Sequence, residues 1–250
     1  MTLISFLLFI NLSCNKKDSI QAIDSAQTIA TRGGIALTLD DNYIDNWYTH
    51  MDLFDSLGVR ATFYISNYNK LSSTQKGKLQ KLKDHGHEIA FHSTNHVNFL
   101  KFADSAKIDR LIKEEVMDGL RLMNDGGLFP KTFAYPYGQH NDILDKLLLK
   151  SFKSVRALNG TKDLSKSLAS IGNNKLIFGL GIDETSKRDL SKIEGLLELA
   201  QSKNKCAVLL VHNIERKDIT MQIPLWKLKQ IINKAKSLSL KFYTISEISK

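Results

Sequence analysis

From Gly33 onward, short apolar runs alternate with segments whose apolar residues recur every three or four positions. Residues 34–39 form an apolar run that ends at Asp40 and Asp41, and they predict a first strand. Trp47, Met51, Phe54 and Leu57 recur at helical spacing, and Gly58 stops that helix. Residues 59–65 are β-branched and aromatic, the signature of a second strand. Leu79 and Leu82, set among lysines, predict a helix closed near Gly86, and residues 87–91 predict a third strand. Residues 108–123 read as an amphipathic helix stopped by Gly126 and Gly127. A short strand follows at 131–134, and Pro136 and Gly138 force a turn. Helix 143–149 and strand 154–158 come next, then a loop over 159–174 with one helical turn. Strand 176–182, helix 190–200, the buried strand 206–211, a helix over 224–238 with proline near its start, and a last strand at 241–245 complete the chain.

Strand and helix alternating in this way argue for parallel βαβ units in one domain. Seven or eight strands over residues 33–250 suit a single (β/α) barrel, distorted or incomplete. A doubly wound open sheet is the alternative, although no glycine-rich phosphate loop follows the first strand.

Composition changes this picture little. The chain has 250 residues, 42% hydrophobic and 24% charged, which excludes disordered and fibrous classes. Two cysteines, Cys14 and Cys206, exclude a disulfide framework, and Cys206 opens a buried apolar run. The formal net charge of +9 permits polyanionic partners without naming one, and scattered lysines read first as a solvated surface. The first residues carry an address. Residues 3–10 are apolar over too short a span to cross a bilayer, and have the length of a signal-peptide core. Leu12, Ser13 and Cys14 resemble the lipobox of bacterial lipoproteins, with Asn11 where leucine is usual and no basic residue ahead of the apolar run. The expectation is an export signal over residues 1–13 and a polar tether over 14–32, starting at a lipidated Cys14.

The residues able to do chemistry collect where predicted strands end. Asp40 and Asp41 end the first, His92 and His96 follow the third, Tyr135 to Gly138 follow the fourth, Asp183 ends the sixth, and His212 ends the seventh. In a parallel barrel these ends share one face. Each signal taken singly has a bland reading: an acidic turn, a helix cap, a satisfied buried histidine. Jointly, one aspartate and two histidines are a three-ligand set with a position left open, the layout of catalytic rather than structural zinc. A second aspartate and a third histidine can then serve as base and acid.

At these residues the chain resembles the polysaccharide deacetylase family, also called the NodB homology domain or carbohydrate esterase family 4. The resemblance runs through Thr38-Leu39-Asp40-Asp41, Ala61-Thr62-Phe63-Tyr64, Gly86-His87-Glu88-Ile89-Ala90, His92-Ser93-Thr94-Asn95-His96, Ala134-Tyr135-Pro136-Tyr137-Gly138 and Leu210-Val211-His212, in family order. It implies a NodB-like barrel in which Asp41, His92 and His96 hold a divalent metal, zinc by default and Co²⁺, Ni²⁺ or Mn²⁺ as variants. It implies that Asp40 is the general base, His212 the general acid, and the Tyr137 backbone N–H an oxyanion donor. The sequence departs from the family in two places. The family's motif arginine, which pairs with the base, is Ala134 here, and Arg156 on the next predicted strand is placed to supply that cation. The family's fourth motif is not recognisable, and Asp183 is the nearest carboxylate to orient His212. Asn213 stands where many members have aspartate.

The resemblance therefore implies a monomeric, exported, metal-dependent hydrolase that removes acetyl groups from N-acetylglucosamine-type polysaccharide. An O-acetyl esterase of xylan type and a metal- or glycan-binding module without turnover are the alternatives. No nucleic-acid partner is expected, because there is no basic–aromatic stripe. Membrane contact is expected only through a lipid anchor at Cys14.

Overall fold

The computed structural model describes residues 32–102, 105–216, 218 and 221–249. The segments read as export signal and tether, with Cys14, lie outside these residues except for Arg32. Seven parallel strands close into a barrel: β1 (Gly34–Asp41), β2 (Ala61–Ile65), β3 (Glu88–Phe91), β4 (Thr132–Ala134), β5 (Ser154–Leu158), β6 (Leu176–Gly181) and β7 (Cys206–Val211). They pair in chain order, and β7 returns to β1 over the register from Gly34↔Cys206 to Leu39↔Val211. The expected (β/α) barrel is thus the observed one, and the open doubly wound sheet is excluded by that closing pair.

Period-two alternation sets the two faces of each strand. Ile35, Leu37 and Leu39 join the outer core beneath the helices, with Phe63, Phe91, Phe133, Val155 and Leu209 from other strands. Ala36, Tyr64, Ala90, Ala134, Ile177 and Val208 form a separate inner cluster that fills the barrel. Helices α1 (Ile44–Thr49), α2 (Met51–Leu57), α3 (Ser73–Asp84), α4 (Ser105–Ile112), α5 (Asp118–Asp125), α6 (Asp142–Leu148), α7 (Leu190–Ser202) and α8 (Leu225–Ser237) lie between successive strands or after the last of them. Gly58, in the left-handed conformation at φ 64°, ends α2 as the sequence indicates.

Three expectations are corrected. The helix read over 108–123 is interrupted by a π-helical stretch, Lys113–Met117, between α4 and α5. The loop over 159–174 contains a two-residue strand, Leu168–Ala169, antiparallel to β7, beside its single helical turn. The last strand covers only Lys241–Phe242 and takes the lower edge of β1, below the point where β2 begins to pair. Thr244 and Glu247 then form a capping box, and α9 (Ile245–Ile248) turns under the barrel. Its Ile245 and Ile248 plug the inner cluster from below. The apolar alternation of residues 241–245 matched a strand, but the capping box won.

Glu88 organises this lower end. Its carboxylate accepts from Thr62 Oγ1 (3.0 Å), Thr132 Oγ1 (2.9 Å) and the Ser246 backbone N–H (2.8 Å). One side chain on β3 therefore ties β2, β4 and α9 together. Neighbouring His87 is buried, and its Nδ1 accepts the Ala61 N–H at 3.1 Å. Burial holds the His87 imidazole near pKa 4, so it stays neutral and can accept. Glu88→Ala should lower unfolding stability by about 2–4 kcal/mol, since three buried donors lose their acceptor. Urea unfolding measures this directly, and an unchanged midpoint with Glu88→Ala would refute the bracing role.

Candidate active site and metal centre

The strand ends bring Asp40, Asp41, His92, His96, Tyr137, Arg156, Asp183 and His212 to the C-terminal mouth of the barrel. Asp41 Oδ1 lies 3.1 Å from His96 Nε2 and 3.5 Å from His92 Nε2. The three side chains each offer one ligand atom, all within 4.8 Å of one another. The His92 Nδ1 donates to the Ala134 carbonyl oxygen at 2.8 Å, which leaves Nε2 as a bare lone pair facing Asp41. Asp41 Oδ1 is buried without a donor of its own. Burial raises the Asp41 carboxyl, yet the neighbouring His92 and His96 imidazoles outweigh it and hold the group well below the usual carboxylate range. An anionic carboxylate beside two lone-pair nitrogens fits a divalent cation.

The backbone is strained where it aims these groups. Among the described residues, four of the ten non-glycine residues at positive φ lie here: Asp41 (85°), Ser93 (67°), His96 (57°) and Tyr137 (60°). His92 and His96, four residues apart, lie in a loop rather than on a helical turn, with ring centroids 5.0 Å apart. That loop is fixed by a residue the sequence did not reveal. Glu115, in the π-helical stretch, is buried and accepts from Asn95 N and Asn95 Nδ2, both at 2.8 Å. Its own carbonyl accepts the Thr94 N–H at 3.0 Å. In the sequence Glu115 reads as the polar face of an amphipathic helix, and only the π-turn rotates it inward.

Asp40 sits deeper than Asp41, with Oδ2 paired to Arg156 Nη2 and Oδ1 unpartnered. Arg156 is 1% exposed and crosses the barrel from β5, its guanidinium 5.1 Å from the Tyr64 ring centroid. Ala134 is its register partner on β4. Small residues make the passage: Ala36, Ala90 and Ala134 share the inner cluster. On the other side, a Cβ at Gly179 would stand 3.1 Å from Arg156 Cδ. The sequence thus moves the cation by one strand and clears its path.

At the end of β7, the strand beside β1, Asp183 holds His212 twice, through the backbone N–H at 3.2 Å and the ring Nδ1 at 2.6 Å. The His212 Nε2 is thereby turned toward the site. Burial lowers the His212 pKa, but the Asp183 hydrogen bond and the charges of Asp40, Asp183 and Asp41 raise it above the ordinary histidine value. Trp47 Nε1 donates to the His212 carbonyl oxygen at 2.6 Å and fixes the strand end. Tyr137 occupies the tight turn Pro136–Gly138, its ring against His96 at 4.9 Å between centroids. Gly138 is required there, because a Cβ would meet Leu158 Cβ at 2.2 Å. Beside His212 a cavity of about 310 Å³ runs between Leu158, Asn159, Asp183, Arg188 and Leu210.

Residues 29–151 match the family model described as polysaccharide deacetylase. The "Probable peptidoglycan-N-acetylglucosamine deacetylase" of Arthroderma benhamiae is 21% identical over 223 residues, which cover 88% of this chain and 45% of that protein. The chain therefore spans less than half the length of this relative. Among solved structures, the Bc1960 peptidoglycan N-acetylglucosamine deacetylase matches with a TM-score of 0.62 at 18% identity, over 88% of this chain and 89% of that one. The chitin deacetylase from Colletotrichum lindemuthianum matches with a TM-score of 0.62 at 20% identity, over 88% of each chain. At such identities the two structures speak for the barrel alone, and the family model and the motifs at its mouth carry the kinship. Over residues 29–151 the chain is identified as similar to the polysaccharide deacetylase family.

Proposed function

We propose that this protein is a metal-dependent deacetylase of N-acetylglucosamine-type glycans in the cell envelope. The observation that supports this most directly is the pairing of two prepared proton carriers beside one ligand cluster. Asp40, near the end of β1, presents an unpartnered Oδ1. His212, turned by Asp183, follows the neighbouring strand β7. A binding module has need of neither.

Asp41, His92 and His96 would hold the metal, zinc being the expected ion and Co²⁺, Ni²⁺ or Mn²⁺ its substitutes. When bound, the ion supplies Lewis-acid polarisation and makes water easier to deprotonate near neutral pH. The chain's own residues do the rest. Asp40 Oδ1 takes a proton from the attacking water, while Arg156 pairs with the other carboxylate oxygen and orients the group. The Tyr137 N–H, aimed by its strained turn, donates to the oxygen that gains charge on the acetyl carbon. As the C–N bond breaks, His212 Nε2 gives its proton to the departing amine, which is too basic to leave unprotonated. Acetate and a free amino sugar remain. The envelope setting follows from reading residues 1–13 as an export signal and Cys14 as a lipid attachment site.

Three outcomes are expected. The apo-protein should bind one equivalent of divalent metal by calorimetry, and His96→Ala should abolish stoichiometric binding; full binding by that variant would displace His96 from the ligand set. Acetate release from N-acetylglucosamine oligomers should stop with chelator and fall about a hundred- to ten-thousandfold in Asp40→Asn. Release only from O-acetylated xylan would reassign the substrate, and stoichiometric metal without release from either would indicate a binding module. In Asp183→Asn the His212 pKa loses its main raising partner. The alkaline limb of the kcat profile should therefore move to lower pH, and an unmoved limb would remove Asp183 from the proton path.

A further inference from the structure

The two ends of the barrel differ in charge. In a parallel barrel the loops that lead into strands gather on the N-terminal face, opposite the active site. Here the connections at 58–60, 126–131, 149–153 and 203–205 contribute Arg60, Lys131, Lys150, Lys153, Lys203 and Lys205. Those loops, together with 85–87 and 238–240, contain no aspartate or glutamate. The cations are neighbours, not a scatter. Lys153 N donates to Lys131 O at 2.9 Å, Val155 N to Lys175 O at 2.7 Å, and Gly34 N to Lys205 O at 2.9 Å. Lys131, Lys153 and Lys175 thus stand on three adjacent strands, and all three are exposed. None has a carboxylate within ion-pair distance among the described residues.

Helix C-termini attract cations through the macrodipole, which accounts for Lys81 and Lys83 of α3 and Lys234 and Lys236 of α8. It does not account for side chains that start strands. Like charges on neighbouring strands repel, so this arrangement costs stability unless a partner offsets it. Of the carboxylates near this face, Glu247 pairs with Arg60, Asp55 with His85, Asp84 accepts from Gln80, Asp125 lies 3.9 Å from Arg121, and Glu88 braces the barrel. Beside the ring, Phe129 is 60% exposed, with Lys83 Nζ 5.7 Å from its ring centroid. An exposed aromatic among cations suits a headgroup interface better than a dissolved polyanion.

The chain also enters the domain here. Arg32 leads into β1 from this face, and the segment read as a tether from Cys14 precedes it. We propose that the N-terminal face of the barrel docks onto an anionic lipid surface, so that the catalytic mouth points away from the bilayer toward polymer. This adds a second membrane contact to the anchor expected at Cys14. It stands independently of the deacetylase reading, since lipid binding and acetate release are separate measurements. A tether raises the local concentration of the face near the lipid, so each lysine need contribute only modestly.

The test uses the mature chain from residue 14 with Cys14→Ser, so that neither the apolar signal core nor an acyl group contributes. Vesicles of phosphatidylcholine with 30% phosphatidylglycerol (roughly the charge of an anionic leaflet) are compared with phosphatidylcholine alone in flotation. Binding should be selective for the anionic vesicles and lost at high salt. Lys131→Glu, Lys153→Glu and Lys205→Glu together should weaken partition about tenfold or more. The gentler Lys→Gln triple should show a smaller loss and the same melting temperature as the parent. Lys101→Glu with Lys187→Glu, on the catalytic side, should leave partition unchanged. Equal partition into neutral vesicles, or equal loss from reversals on either face, would overturn the proposal. Tighter and more salt-resistant binding to duplex DNA than to the anionic vesicles would overturn the choice of lipid.

Discussion

Two adjacent carboxylates at the end of one buried strand are the constraint from which the site follows. Asp40 is 3% exposed and Asp41 follows it directly, so their charges must be offset inside the barrel mouth. Unpaired buried charge costs several kcal/mol, on the order of 3–5 when one member of a buried pair is removed. Period-two alternation and a positive φ at Asp41 send the two carboxylates to different partners. Asp40 turns to Arg156, while Asp41 turns to His92 and His96. One aspartate thereby faces a guanidinium and the other faces two imidazoles.

The rest of the mouth serves that division. His92 is oriented by the Ala134 carbonyl, the His96 loop by Glu115, and His212 by Asp183 and Trp47. Below, Glu88 and α9 close the barrel, so the strands that carry these residues keep their register. Opposite ends thus do different work: acidic and imidazole groups at strand ends form the mouth, and lysines at strand starts form the other rim.

The seven barrel strands were legible because each is an apolar run bounded by glycine, proline or charge, and their order followed from parallel pairing. The cluster of Asp41, His92 and His96 was legible from residue types at strand ends. The barrel's lower closure was not, because residues 241–245 alternate like a strand and only the Thr244 capping box turns them into a helix. Glu115 was hidden by its helix: a π-turn shifts the face by about one residue, and periodicity does not announce it. The loop geometry of His92 and His96 was hidden too, since i, i+4 spacing looks the same on a helix and in a strained turn. Arg156 was readable only as a cation near a gap. The room it uses, from Ala90, Ala134 and Gly179, lies on three other strands.

The central claim is that the cation for Asp40 has moved from β4 to β5. Its most direct test is acetate release, per folded molecule, by Arg156→Ala and by the double variant Arg156→Ala with Ala134→Arg. The account predicts that the single change cripples turnover and that the double change restores a substantial part of it, since the new arginine enters the vacated lumen beside Asp40. Undiminished turnover in Arg156→Ala would contradict the claim.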